Sequence, residues 1–293
     1  MAAGTWLASI TWQTTQPGAD RPLPLWMMDL PFAYALPAAI GLFSIASAGW
    51  LLSLRLPNVP AADSNAVFPR NGITKTVEDL RALCGSRRLI GAAAGIVFFW
   101  GIAAVAQLNV DQYAFESGAT AQGQVTPLLL ALVIGIGGGS LLAGRLSGQG
   151  ADENSQVNLG IVPVGGMIMA TACLALSFSG QEIFQPDKSL SIGLMTAAWW
   201  LFLLGVGAGM FDVPLEAYLQ EQSPPDRLGA TLASTNLLVF TGMLASSLGY
   251  YVLRMPVGAE ELAKPLFSAR GVFLIFSLLA GIATVAAIVS APR

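Results

Sequence analysis

Seven stretches of the chain are almost free of polar side chains, and each is bounded by charge, proline or glycine: residues 32–54, 89–108, 125–146, 157–178, 190–219, 228–253 and 267–290. A helix needs about 20 mostly apolar residues to cross a hydrocarbon layer of about 30 Å, so each stretch predicts a membrane-spanning helix. Pro37 falls in the opening turns of the first, where a missing N–H costs little. Charge enters these runs or their ends only at Arg145, Asp212, Glu216 and Arg270. The predicted fold class is an all-α membrane protein, a polytopic bundle of seven transmembrane helices.

The polar stretches order these helices. "MAAGTWLASITW" has no positive start and only a short, interrupted apolar run, so it fits neither a signal peptide nor a span. Residues 1–31 therefore read as an extracytoplasmic segment, which suits the later part of a longer protein. After the first helix (32–54), residues 55–88 form the one sizeable linker. "PNVPAADSNAVFPRNG" is rich in turn residues, whereas "TVEDLRALCGS" predicts a short amphipathic helix. A capping box between Thr76 and Asp79 would open that helix, with Val77, Leu80, Leu83 and Cys84 on the face laid against the membrane. Residues 89–293 then form a six-helix bundle.

Composition agrees with this pattern. Hydrophobic residues make up 54% and charged residues 11%, and mean hydropathy is +0.65; an ordinary soluble domain is about 25% charged. A net charge of -3, without any basic cluster interleaved with aromatics, points away from nucleic acid. The chain has no histidine, which removes the usual general base and the commonest zinc ligand. An enzyme, a metal site and a cofactor are therefore not expected. Cys84 and Cys173 lie in different environments and read as free thiols.

With alternate crossings, nine of the fourteen Lys and Arg residues fall on the side that holds residues 55–88. The positive-inside rule makes that side cytoplasmic, with the N-terminus outside and the C-terminus inside.

Polar groups and glycines within the spans are the candidate functional residues. Gly135, Gly139 and Ala143 recur every four residues, which bares one helix face for close approach by another backbone. "GIGGGSLLAGRLSG" lacks the lysine of a nucleotide loop. Arg145 is either a gating contact or an arginine snorkelling to the surface. Gln107, Asn109 and Asp111 either bind a polar headgroup or simply end their helix. Asn236 either lines a cavity or makes an interhelical hydrogen bond. Asp212 and Glu216 share a helix face near the inner edge of the hydrocarbon, and Pro214 removes a backbone bond near residues 210 and 211, beside them. "SPPDR" then reads as a helix start with Ser223 as N-cap, Pro224 first and Asp226 third.

"GSLLAGRLSG" resembles the second copy of the loop motif of the major facilitator superfamily. "FFWGIAAVAQLNVDQYA", "LLLALVIGIGGGSLLAGRLSG", "VNLGIVPVGG" and "GMFDVPLEAYLQEQSPPDRLGATLASTNLLVFTGML" together resemble its lysophospholipid transporter branch, including forms fused to an acyltransferase and an acyl-carrier-protein synthetase. The resemblance runs from about residue 30 to the end and implies the sixth span, the central linker and the C-terminal six-helix half. It implies a multi-pass protein of the bacterial cytoplasmic membrane that moves lysophospholipid, most simply lysophosphatidylethanolamine. An N-terminal half and a cytoplasmic acyltransferase would be its partners. Polar residues at membrane depth then become candidates for the substrate path or gate: Gln107, Asn109, Asp111, Arg145, Asp212, Glu216 and Asn236. Six spans and a motif are also compatible with an exporter of small amphipathic solutes or drugs. A membrane-anchoring subunit or a fragment that does not transport is the alternative outside transport.

Overall fold

A computed structural model describes residues 36–55, 71–147, 157–180, 183–184, 191–258 and 264–290. The N-terminal segment and linker residues 56–70 lie outside them. Eight α-helices form among the described residues: α1 (Leu36–Ser53), α2 (Gly72–Gly85), α3 (Arg87–Glu116), α4 (Thr126–Leu146), α5 (Ile161–Ser177), α6 (Ile192–Gln222), α7 (Leu228–Leu253) and α8 (Ala269–Ser290). Two short strands, β1 (Pro256–Val257) and β2 (Lys264–Pro265), pair antiparallel between α7 and α8. The chain divides into two compact units, one of residues 1–61 and 121–126 and the other of residues 62–120 and 127–293. The first contains α1 and a single 3-10 turn, Gln122–Gln124. The second contains the helix bundle.

Each apolar run of the sequence contains a helix among the described residues. By length and composition, five segments can cross a membrane: Arg87–Glu116, Gln122–Leu146, Ile192–Gln222, Leu228–Leu253 and Ala269–Val289. α1 and α5, of 18 and 17 residues, are equally apolar but shorter. The outward faces of α7 and α8 carry large hydrophobic side chains such as Phe240, Leu244, Leu278 and Ile282. A bilayer accepts these faces at no hydrophobic cost.

In the bundle, α6 packs against α5 and α3, α8 against α5 and α3, and α3 also against α7. Of these five segments α6 is the most enclosed and α7 the least. At one end, which we call the basic end, Arg88 donates to Gln222 at 3.5 Å and joins the start of α3 to the finish of α6. There too the Val157 N–H reaches Glu221, and the Asn158 N–H reaches the Ser147 carbonyl just beyond α4. Arg87, Arg145 and Arg227 share this end.

Four local expectations are corrected. First, α2 is opened by Asn71, whose side chain accepts from Ile73 and Thr74 N–H. Thr76 is already inside the helix and donates to the Gly72 carbonyl, so the capping box with Asp79 does not form; Asp79 pairs with Lys75 at 3.0 Å. Second, of the predicted apolar face of α2, Leu83 is buried while Val77 and Cys84 are exposed. The helix packs on α3 and α7 through that narrow contact.

Third, α3 runs two turns past Leu108, because the polar residues beyond it find partners on neighbouring helices. It stops where Gly118 takes a left-handed φ of 97°, with Gly118 and Ala119 N–H groups returning to the Phe115 and Ala114 carbonyls. Fourth, Ser223 closes α6 instead of opening α7. Its hydroxyl donates to the Leu219 carbonyl, residues 225–227 turn, and α7 begins at Leu228 without a side-chain cap.

Candidate functional site

The glycines of α4 and α6 form one seam. A Cβ at Gly135 would collide with the Phe202 carbonyl, and one at Gly139 with that of Val206. A Cβ at Gly209 would lie 2.5 Å from the Ser140 nitrogen and 2.6 Å from the Ile136 carbonyl. Ala143, on the same α4 face, is fully buried. On another side of α6, Gly207 and Gly165 of α5 face each other so closely that a Cβ on either would be 2.7 Å from the other's carbonyl oxygen. Three backbones therefore approach almost without intervening side chains. The spacing on α4 predicted one half of this seam. Its partner, "GVGAGM" at 205–210, carries the same small-residue spacing and is the half that the sequence reading missed.

Asp212 follows directly on that seam. Phe211 is buried and holds α6 against α3 through Phe98 and Phe99, at ring-centroid distances of 6.3 and 6.4 Å. Gly165, only four residues into α5, faces the backbone at 207–211. Asp212 therefore lies close to the level at which α5 begins, at the basic side of the bundle. It is half-buried, and its Oδ1 is shielded from solvent without a hydrogen-bond partner among the described residues. Glu216, half-buried, follows one turn later. The ion pairs among the described residues are Lys75–Asp79 and Arg254–Glu116, and neither Asp212 nor Glu216 takes part. Arg145 is exposed in the last turn of α4, where a cation meets the negative end of the helix dipole.

Pro214 sits within an unbroken α6. It leaves the Met210 carbonyl without its helical N–H, so the acidic pair and a weakened helical turn coincide.

Asn236 and the outer polar residues lie elsewhere. Asn236 is exposed on α7, beside the exposed Leu237 and one turn from Phe240. Gln107 and Asp111 are half-buried on α3. Asn109 is fully buried, donates to the Ala269 carbonyl at 2.9 Å and accepts from the Tyr250 hydroxyl at 3.5 Å. Its amide thus ties α3 to α7 and α8. Two turns further on, Glu116 accepts from Ala269 N–H at 2.8 Å and from Arg254 at 2.5 Å. Sequence reasoning missed Glu116 and Arg254, which lie outside the predicted spans 89–108 and 228–253.

Among the described residues no group of three His, Cys, Asp or Glu could hold a metal ion. Cys84 and Cys173 are free, the first exposed and the second buried.

No family model matches the sequence. Over 185 residues the chain is 24% identical to the "Glucose facilitated diffusion protein" of Zymomonas mobilis, a match covering 60% of this chain and 36% of that protein. The chain thus spans little more than a third of the length of the curated relative it matches. The fold defines a multi-pass helical membrane protein. Its apolar helices and this distant similarity support membrane transport in general terms.

Proposed function

We propose that this chain is one helix and the six-helix C-terminal half of a major facilitator-type transporter, and that the complete system moves lysophospholipid across the cytoplasmic membrane by alternating access. The observation that carries the reading is the Asp212 carboxylate beside the seam of α4, α5 and α6, whose Oδ1 has no hydrogen-bond partner among the described residues. A carboxylate at membrane depth is costly and persists where it serves a path or a gate. The cargo follows from the resemblance of the 209–244 block to lysophospholipid transporters. In this reading Asp212 meets an arginine or the ammonium of a phosphoethanolamine headgroup at an inner gate, Glu216 and Arg145 border it, and Asn236, Gln107, Asn109 and Asp111 belong to the substrate path. The basic end is cytoplasmic, with the C-terminus inside. The remaining half of the transporter and a cytoplasmic acyltransferase are the partners, and the chain itself catalyses no covalent chemistry.

Passage of a small polar solute is a second reading, favoured by the similarity to the glucose protein. Vesicles carrying this chain together with the protein encoded beside it separate the two. Uptake of labelled lysophosphatidylethanolamine supports the lipid reading, and uptake of labelled glucose alone overturns it. Movement of neither would leave a membrane-anchoring subunit.

A further inference from the structure

The end of the bundle opposite the basic end contains an assembly that the transport reading does not use. Glu116, the last residue of α3, presents one carboxylate oxygen to the first N–H of α8, at Ala269, and the other to Arg254, the residue that caps the C-terminal end of α7. Each contact suits the local dipole: an anion at the positive start of α8 and a cation at the negative finish of α7. Arg254 also donates to Gln112 on α3 and to the Phe267 carbonyl before α8, both at 3.0 Å. Two turns along the same face of α3, Asn109 holds the carbonyl of the same Ala269. The first residue of α8 is therefore gripped through both its N–H and its C=O by side chains of α3. The Arg254 side chain is 15% exposed and that of Glu116 30%, so the arginine is largely withdrawn from water while the carboxylate lies nearer to it; charge assistance strengthens the bonds between them.

We propose that Glu116 and Arg254 form a buckle that fixes α3, α7 and α8 to one another at this end, so that local opening of the bundle is confined to the basic end. The described cross-helix hydrogen bonds at the basic end are longer, at 3.2 to 3.5 Å. The buckle holds whichever cargo the protein carries.

Hydrogen exchange followed by mass spectrometry on the full chain in lipid nanodiscs tests this. In the native chain, amides of the first two turns of α8 should exchange more slowly than those of the last two turns of α6. Glu116→Ala should speed exchange at residues 264–272 by about tenfold or more, the loss of one charge-assisted bond and its buried partner, while residues 215–222 keep their rate. An equal rise at both ends, or no rise, would overturn the buckle. If Glu116→Ala does not fold, Glu116→Gln keeps the shape and removes the charge; a smaller rise confined to residues 264–272 supports the proposal, and any other distribution overturns it. Combining Glu116→Gln with Arg254→Met should exchange no faster than the faster single variant, whereas multiplied effects would show two independent contacts.

Discussion

Glu116 and Asp212 are both carboxylates on long apolar helices, yet they sit in opposite circumstances. Glu116 ends α3 and is satisfied on both oxygens by an arginine and a helix N-terminus. Asp212 lies within α6, follows a glycine seam, and has an oxygen that reaches no donor among the described residues. A satisfied charge network is rigid because breaking any part leaves the rest stranded in a poor solvent. An unsatisfied carboxylate raises the energy of the arrangement that contains it and is stabilised by whatever cation arrives. One end of the bundle is thus organised to stay as it is, and the other retains a group able to respond.

The comparison breaks most completely if the seam beside Asp212 is filled. Gly209→Val would drive side-chain atoms into the backbone of α4, against Ser140 and Ile136. We expect a loss of about 3 kcal/mol or more, or failure to fold, because backbone on both sides cannot yield as a flexible side chain does. Thermal unfolding in detergent, with size-exclusion profiles, measures it; a native-like melting temperature would show that α4 can move away and that the seam is not a fixed core. Arg254→Met should come next, costing about 1 kcal/mol, since it removes the charge-assisted bonds to Glu116, Gln112 and Phe267 while keeping most of the apolar stem. The same melting experiment reads this, and adding Glu116→Gln should restore part of the loss. No restoration would mean that Arg254 acts through Gln112 and Phe267 instead.

The distribution of the spans was legible because burial in lipid writes itself into sequence as long apolar runs. The runs at 228–253 and 125–146 coincide with helices to within a residue at each end. What was less legible lay where helix ends meet other helices. The α3 run appeared to end at Leu108 since Asn109, Gln112 and Glu116 are polar, but their partners at Ala269 and Arg254 are more than 130 residues away. Hydropathy along one segment cannot register a bond to another. Likewise "SPPDR" carries a good helix-start pattern, and a Ser223 hydroxyl that turns back to Leu219 overrides it. The α4 half of the glycine seam stood out by spacing, whereas its α6 half merged into an apolar background.

The smallest effects on stability should come from the acidic pair, and these sharpen the contrast because their consequence belongs to activity. Asp212→Asn should leave the melting temperature unchanged or slightly higher, since it removes a half-buried charge that no partner compensates. It should abolish most uptake in the complete transporter. Lost insertion with lost uptake would instead make Asp212 a folding residue, and normal uptake would remove it from the gate. Glu216→Gln should matter least. Glu216 lies one turn nearer the finish of α6, towards the Gln222 that meets Arg88, and neutralising it relieves a like charge beside Asp212 without touching the seam. If Glu216→Gln proves the more damaging of the two, the responsive carboxylate is the outer one, and the gate lies a turn closer to water than the position of Asp212 implies.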